Sequence, residues 1–237
     1  KVGDKVPVSY FQASEQKVFY SEDLAWLLGI ILCDGCYANN VVISLGADEK
    51  DVVSKVESVA FGQLEFQTTV KKQERNKKGT YYDVNLKCGD RLQFFRKWLA
   101  DNFEGVRKIN RHIPCEVFSW DYNSRCAFLA GMVDADGYIP KRSARITLGS
   151  TNKELALQQL LLIQSLGLKG KVYLNLYSKT KTKYRYLIES EVNNDVLRHI
   201  ASEKKASAIK KHGNKKCSLI TRSYSEVVEV LPSNCKE

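Results

Sequence analysis

The chain is poor in the features that would take it out of an aqueous, reducing compartment. Its longest uninterrupted apolar stretch, Leu24–Cys33, is ten residues, against the roughly 20 that a bilayer-spanning helix needs. No basic-then-apolar leader opens it, so secretion is not expected. Seven cysteines, an odd number at irregular spacing, do not make the even, dense set of a disulfide framework, and reduced thiols are expected. Cys33-x-x-Cys36 has zinc-pair spacing without a second such pair to complete four ligands, so buried core thiols are the simpler reading. Only four prolines beside 43% hydrophobic residues exclude a disordered composition. Acid is scarce as well: 27 Asp+Glu face 37 Lys+Arg, a net charge of +10. What is left is a basic, globular chain, expected inside the cell (cytoplasm or nucleus) and off the membrane, with a polyanionic partner. Nucleic acid is the commonest one.

What the chain does contain is a repeat. Leu27-Leu28-Gly29-Ile30-Ile31-Leu32-Cys33-Asp34-Gly35 aligns with Leu129-Ala130-Gly131-Met132-Val133-Asp134-Ala135-Asp136-Gly137, an offset of 102 (136 − 34). Downstream, Ile43-Ser44-Leu45-Gly46 aligns with Ile146-Thr147-Leu148-Gly149, and Lys50-Asp51 with Lys153-Glu154, at 103. An offset held this closely marks two copies of a unit of about a hundred residues. Ser21-Glu22-Asp23 supplies a cap and first-turn acids for a helix over Leu24–Cys33, and Asn123-Ser124 precedes one over Cys126–Val133. A strand follows, alternating Val41, Ile43, Leu45 in one copy and Ala144, Ile146, Leu148 in the other. Then come a helix (48–61, 152–166), two strands (65–75 and 80–88, 170–178 and 183–190) and a closing helix (90–102, 193–202). The expected class is α+β: two pseudo-twofold-related repeats forming a saddle of two antiparallel sheets backed by helices.

The strands carry cations on one face. In the second copy Lys171, Tyr173, Asn175, Lys179, Lys181, Lys183 and Arg185 hold odd positions, while Val172, Leu174, Tyr184, Tyr186 and Ile188 hold even ones. Alternation sends the two sets to opposite faces. Lys141 and Arg145 repeat the pattern beside Ala144 and Ile146, with Arg142 between them. In the first copy Asn85 and Lys87 alternate with Val84 and Leu86, after the cluster Lys71, Lys72, Arg75. No acid interrupts residues 169–186, whereas a face that needed only solubility would mix both signs. Cations neutralise phosphates, and Asn, Arg and Tyr can read base edges in the major groove. These fifteen positions (71, 72, 75, 85, 87, 141, 142, 145, 171, 173, 175, 179, 181, 183 and 185) are the expected contacts to double-stranded DNA.

Asp34 and Asp136 each end an apolar helix just before a glycine suited to a left-handed cap. A carboxylate there sits at the negative end of the helix dipole, a place that favours cations. Two of them at equivalent positions suggest a shared compensating cation. Gly29 and Gly131 weaken mid-helix by about 1 kcal/mol each, which close approach of the two helices would offset while bringing the carboxylates together. Hard oxygen ligands of this kind select Mg²⁺, completed by water and phosphate oxygens, and such a metal serves phosphodiester hydrolysis.

The two nonapeptides resemble the motif for which the LAGLIDADG homing endonucleases are named. The second copy departs from it at two conservative positions; the first has Leu32 and Cys33 in place of Asp and Ala but keeps Asp34-Gly35. Two motifs in one chain resemble the monomeric, double-motif class, whose repeats run αββαββα. The resemblance implies cleavage of both strands of a long, asymmetric duplex, with Mg²⁺ held by Asp34 and Asp136; Asp134, opposite Leu32, is left out. The family's basic residue ahead of an Ile-Pro falls on Arg111, in Lys108-Ile109-Asn110-Arg111-His112-Ile113-Pro114, and in the second copy on Lys204 or Lys205. A guanidinium stays protonated, so Arg111 would stabilise charge and not act as a base. The alternative is a non-catalytic nucleic-acid binder of the same family, such as an RNA maturase. The opening Lys1–Val8 and the closing Ser225–Val230 resemble the segments by which inteins lead into and out of an endonuclease domain. The expected organisation is thus a lead-in (1–20), two repeats (21–118 and 119–212) and a return (213–237). With no Cys or Ser first and no His-Asn last, splicing by this chain is not expected.

Overall fold

Two helices buried along most of their length meet at the centre of the molecule. In the computed structural model, which describes residues 5–8, 21–75, 79–103, 110–140, 144–176, 184–212 and 223–226, α1 (Glu22–Asp34) is buried from Ala25 through Cys33. α4 (Tyr122–Asp136) is buried from Ser124 through Asp134. α1 is apolar almost all round and so belongs inside, and the two helices cover each other backbone to backbone. A methyl group at Gly29 would run into the Phe128 carbonyl oxygen, and one at Gly131 into that of Trp26. Glycine is therefore required at both positions for closeness rather than for freedom. Ser21 caps α1, its hydroxyl accepting from Leu24 N at 3.1 Å. α4 starts earlier than Asn123-Ser124 suggests, because Asp121 accepts from both the Ser124 amide and its hydroxyl, at 3.0 and 2.6 Å.

Each motif helix feeds an antiparallel sheet. In the first copy β2 (Gly35–Cys36), β3 (Val42–Gly46), β4 (Gln67–Arg75) and β5 (Gly79–Lys87) lie in the order β2-β3-β5-β4. In the second, β6 (Arg145–Ser150), β7 (Gly170–Leu176) and β8 (Tyr184–Glu191) lie in the order β6-β8-β7. A Tyr138–Thr147 bridge there occupies the place of the β2–β3 pair. Ile43, Leu45, Val84 and Leu86, and likewise Ile146, Leu148 and Ile188, are buried on one side of their sheets. α2 (Lys50–Leu64) and α3 (Gly89–Asn102) complete the first copy and α5 (Lys153–Ser165) the second, giving an α+β molecule with two related sheets. A separate ribbon joins β1 (Lys5–Val8) to β9 (Ser223–Glu226), with Lys5 opposite Glu226 and Val8 opposite Ser223.

Three expectations are corrected. The closing helix of the second copy is one turn, α6 (Asn194–Leu197), followed by an open stretch and then α7 (Glu203–His212). The chain leaves the helix because the amides of Ala201 and Ser202 donate to the Asp134 carboxylate, at 2.7 and 3.0 Å. Gly35 and Gly137 are not left-handed: their φ, ψ values of −75°, 142° and −72°, 133° are extended. A side chain on either would press on the carbonyl of the preceding turn, Ile31 or Val133. Of the Cys33–Cys36 pair, Cys33 is buried and Cys36 exposed.

Candidate active site and nucleic-acid face

Asp34 and Asp136 are the last residues of α1 and α4, each half-buried and five positions beyond the glycine where the two backbones touch. Helix ends leave carbonyls without an intrahelical partner, and here each end receives a cation. The buried Arg111 guanidinium donates to the carbonyls of Leu32 (2.8 Å), Ile31 (3.4 Å) and Gly35 (2.6 Å). It also lies 4.6 Å from the Tyr37 ring centroid. The Lys205 amine donates to Val133 O at 3.0 Å, to Asp134 O and to Glu49 Oε1 at 3.2 Å. Residues 31 and 32 and residues 133 and 134 are equivalent under the 102-residue offset, so Arg111 and Lys205 are counterparts. Lys204 is not: its amine is exposed and bonded to Asp48 Oδ2 at 2.5 Å. That bond raises the Lys204 amine above its ordinary pKa and holds the Asp48 carboxyl below its own.

The compensating charge inferred for the helix ends is therefore supplied first by the protein itself. A positive group at a helix C-terminus opposes the dipole, and Arg111 and Lys205 do this for α1 and α4. No three His, Cys, Asp or Glu side chains group as a metal cage among the described residues. Paired carboxylates completed by water and phosphate oxygens are the donor set Mg²⁺ takes, since it rarely uses an all-protein cage. Asp34 and Asp136 suit that role and Asp134 does not. Asp134 is fully buried and accepts from Trp26 Nε1 at 2.8 Å as well as from Ala201 N and Ser202 N. Burial raises its pKa against the pull of those donors.

Two residues of the site carry no signal of their own in the sequence. Glu49, at the start of α2, holds Lys205 with one carboxylate oxygen and accepts from Gly46 N at 2.7 Å with the other. Asn152, its counterpart at the start of α5 under the 103-residue offset, donates to the Arg111 carbonyl at 3.0 Å. Aligning the repeats one residue before Lys50 and Lys153 would have paired these two positions. Tyr37, stacked on Arg111, was also missed; burial raises its hydroxyl pKa and the guanidinium opposes the rise.

The outward sheet faces are mixed in sign. In the first sheet Lys71 stands opposite Asp83, Thr69 opposite Asn85 and Gln67 opposite Lys87, so Lys71, Asn85 and Lys87 share a face with an acid. Lys72 points to the other side, opposite Tyr82, with its amine 3.6 Å from Glu74. Arg75 ends β4 opposite Gly79. In the second sheet Arg145, Lys171, Tyr173, Asn175 and Arg185 share one face by register, together with Glu189 and Glu191. Arg145 lies 4.0 Å from Glu189 and 3.9 Å from Glu191, and Arg185 crosses the space above Gly149. The run free of acids between 169 and 186 hid this, because a strand's neighbours are set by pairing and not by sequence. Lys141, Arg142, Lys179, Lys181 and Lys183 lie outside the described residues.

Residues 123–205 match the LAGLIDADG-like domain family. The described architecture matches the crystal structure of I-DmoI, a homing endonuclease, in complex with DNA and Ca, with a TM-score of 0.51 at 16% identity over 81% of this chain and 98% of that one. At that identity the likeness is one of fold. Among curated proteins the chain is 25% identical over 190 residues, 80% of its length, to glutamine–fructose-6-phosphate aminotransferase of Methanocaldococcus jannaschii. It is 29% identical over 136 residues, 57% of its length, to an iron–sulfur cluster assembly SufBD family protein of Mycobacterium leprae. The matched stretches are 16% and 15% of those two proteins, so this chain spans a small part of each. The motif helix is present twice, each copy followed by the same order of strands; the second copy matches the LAGLIDADG-like domain family, and the two copies together have the fold of a homing endonuclease of that kind.

Proposed function

We propose that this protein is a site-specific homing endonuclease that hydrolyses both strands of a long, asymmetric DNA duplex with a divalent metal, Mg²⁺ by its donor chemistry. One observation carries this reading. Two glycine-packed helices end in equivalent aspartates, and each end is backed by a cation, Arg111 or Lys205, on its last carbonyls. Asp34 and Asp136 would hold the metal, which supplies a Lewis acid for the phosphate and a more acidic water. The rest falls to the chain itself. Arg111 and Lys205 hold the helix ends in place and lend positive charge beside the scissile phosphates. Lys71, Asn85, Lys87, Arg145, Lys171, Tyr173, Asn175 and Arg185 orient the duplex. The active form is a monomer, because one chain already carries both motif helices.

The test begins with selection of cleaved sites from a random duplex library in Mg²⁺. Asp34→Asn and Asp136→Asn are then expected to abolish double-strand cleavage of the selected site while retaining binding. Full cleavage by either variant overturns the metal assignment. Tight binding by the parent protein with no cut supports instead a non-catalytic member of the family, which the bonding of Arg111 to three carbonyls favours.

We also infer that the chain sits inside a larger protein, as inteins do. The antiparallel β1–β9 ribbon brings both flanks to one place, and two relatives with unrelated names match over about a sixth of their length. Mass spectrometry of the intact host gene's product is expected to find the flanks joined without this segment; a product that retains it counts against splicing.

A further inference from the structure

The helix that backs the second sheet is apolar on its outer side as well as its inner one. α5 packs on β6, β7 and β8, on the face opposite Lys171 and Arg185, and buries Leu155, Ala156, Leu162 and Ile163. Away from the sheet stand Leu157 and Leu161, 43% and 44% exposed, with Leu160 half-buried beside them. Leucines at i, i+3 and i+4 make one continuous ridge. From Leu155 to Leu168 the sequence has no charged residue, in a chain that is 27% charged. Leu174, on the edge strand β7, is 58% exposed on the same side of the sheet as the buried Ile188.

The first copy is an internal control for this ridge. At the 103-residue offset Leu157, Leu160 and Leu161 correspond to Ser54, Glu57 and Ser58 of α2, and each pair is alike in exposure. Ser54 donates to Lys50 O at 3.0 Å, and Glu57 accepts from Thr68 on β4 at 3.1 Å. Leu160 instead lies over Gly170 at the start of β7, so close that a side chain there would strike its methyl. The fold therefore accepts polar residues at all three positions, and packing among the described residues does not account for leucine. Single exposed leucines are ordinary; three on one ridge, each polar in the other copy, mark a contact surface.

We propose that this ridge is where two copies of the chain meet, α5 against α5 across a two-fold axis. A two-fold sets a surface against itself, and an uncharged ridge can be placed so without like charges meeting. A partner of opposite charge would be selected by ions on the ridge, and it carries none. Leucine rows at i, i+4 interdigitate when two helices cross at about −50°. The patch is much smaller than the roughly 20–30 residues a side of a stable interface. The net charge of +10 also opposes approach, and exposed Lys153 and Lys169 flank the ridge. The pairing is therefore weak and forms only in concentrated protein. Each copy keeps both motif helices and its own cation-bearing faces, so two complete units are joined. Nothing in this pairing depends on whether the chain cuts DNA.

The experiment is sedimentation velocity of the whole chain, free of nucleic acid, over a series from about 10 μM to about 1 mM. Monomer is expected to give way to dimer, with more dimer as salt rises, because screening removes the repulsion and leaves the leucine contact intact. Leu157→Ser combined with Leu161→Ser puts the first copy's residues on the ridge. That variant is expected to stay monomeric with an unchanged far-ultraviolet circular dichroism spectrum. Methyl NMR of the parent supplies a readout that needs no variant to fold: the Leu157 and Leu161 methyls shift with concentration, and those of the buried Leu27 and Leu129 do not. A parent that is monomeric throughout overturns the pairing. So does a dimer that weakens as salt rises, since charges then hold it, or one that survives the double substitution. Concentration-dependent shifts that spare the α5 methyls overturn the assignment to this ridge. A monomeric parent whose α5 amides gain protection from exchange only when the flanking host sequence is attached gives the ridge to the host and overturns the pairing as well.

Discussion

Asp134 and Asp136 stand two residues apart on one helix, and their surroundings give them different work. Asp134 has no exposed surface, and its two oxygens take N–H groups from Trp26 on α1 and from Ala201 and Ser202. It ties the first copy and the chain beyond α6 to α4, even though burial opposes its charge. The first copy has no counterpart of this carboxylate: the residue equivalent to Asp134 is Leu32, itself buried among apolar neighbours. Replacing Asp134 by Asn puts an NH₂ where a carboxylate oxygen now meets an N–H donor. A buried donor left without a partner costs roughly 1–3 kcal/mol, and that loss is the expected fall in urea stability for Asp134→Asn. Asp136→Asn, at a half-exposed helix end, is expected to cost about 0.5 kcal/mol or less, as at most surface positions. Urea midpoints with the same slope check both, and a larger loss at Asp136 would contradict this division of roles.

At the scale of elements, legibility in the sequence followed how local the cause was. The motif helices could be read because their causes are local: an apolar run, a capping Ser21 and a glycine after the end. Strand alternation likewise placed Lys171, Tyr173 and Asn175 on one face, as the register has them. Apart from the extended backbone of Gly35 and Gly137, the misses came from partners distant in sequence. Nothing near residues 193–202 announces that two amides there leave a helix to serve Asp134, 67 and 68 positions away. The acids that share a face with Arg145 and Lys171 sit on β8, beyond the acid-free run. Lys71 and Lys72 cannot reach one groove from one strand, because successive side chains alternate. At the site, Asp34, Asp136 and Arg111 were picked out by motif and position. The choice between Lys204 and Lys205 needed the carbonyls of Val133 and Asp134 in view, and Glu49 and Asn152 became visible only as their contacts.

The whole molecule is held together by segments that cross between the copies. The chain leading into α4 seats itself on α5: His112 Nε2 lies 2.6 Å from Glu154 Oε2, and Ile113 N donates to Gln158 at 2.7 Å. The end of the second copy seats itself on the start of α2, through Glu203 N to Asp51, Lys204 to Asp48 and Lys205 to Glu49. Lys55 of α2 donates to the His199 carbonyl at 3.1 Å while lying over the Trp26 ring. Separating the copies would break both sets and expose α1 and α4, which are buried along most of their length. Neither copy then has a water-compatible surface of its own, and small chains with one shared core unfold as a unit. Urea unfolding is therefore expected to be a single transition, with coincident midpoints by far-ultraviolet circular dichroism and by tryptophan fluorescence. The fluorescence reports on Trp98 in the first copy's α3 and on Trp26 and Trp120 at the shared core. Two separated transitions, or a stable folded fragment covering residues 119–212 alone, would show that the crossing contacts are decoration and that each copy is an independent domain.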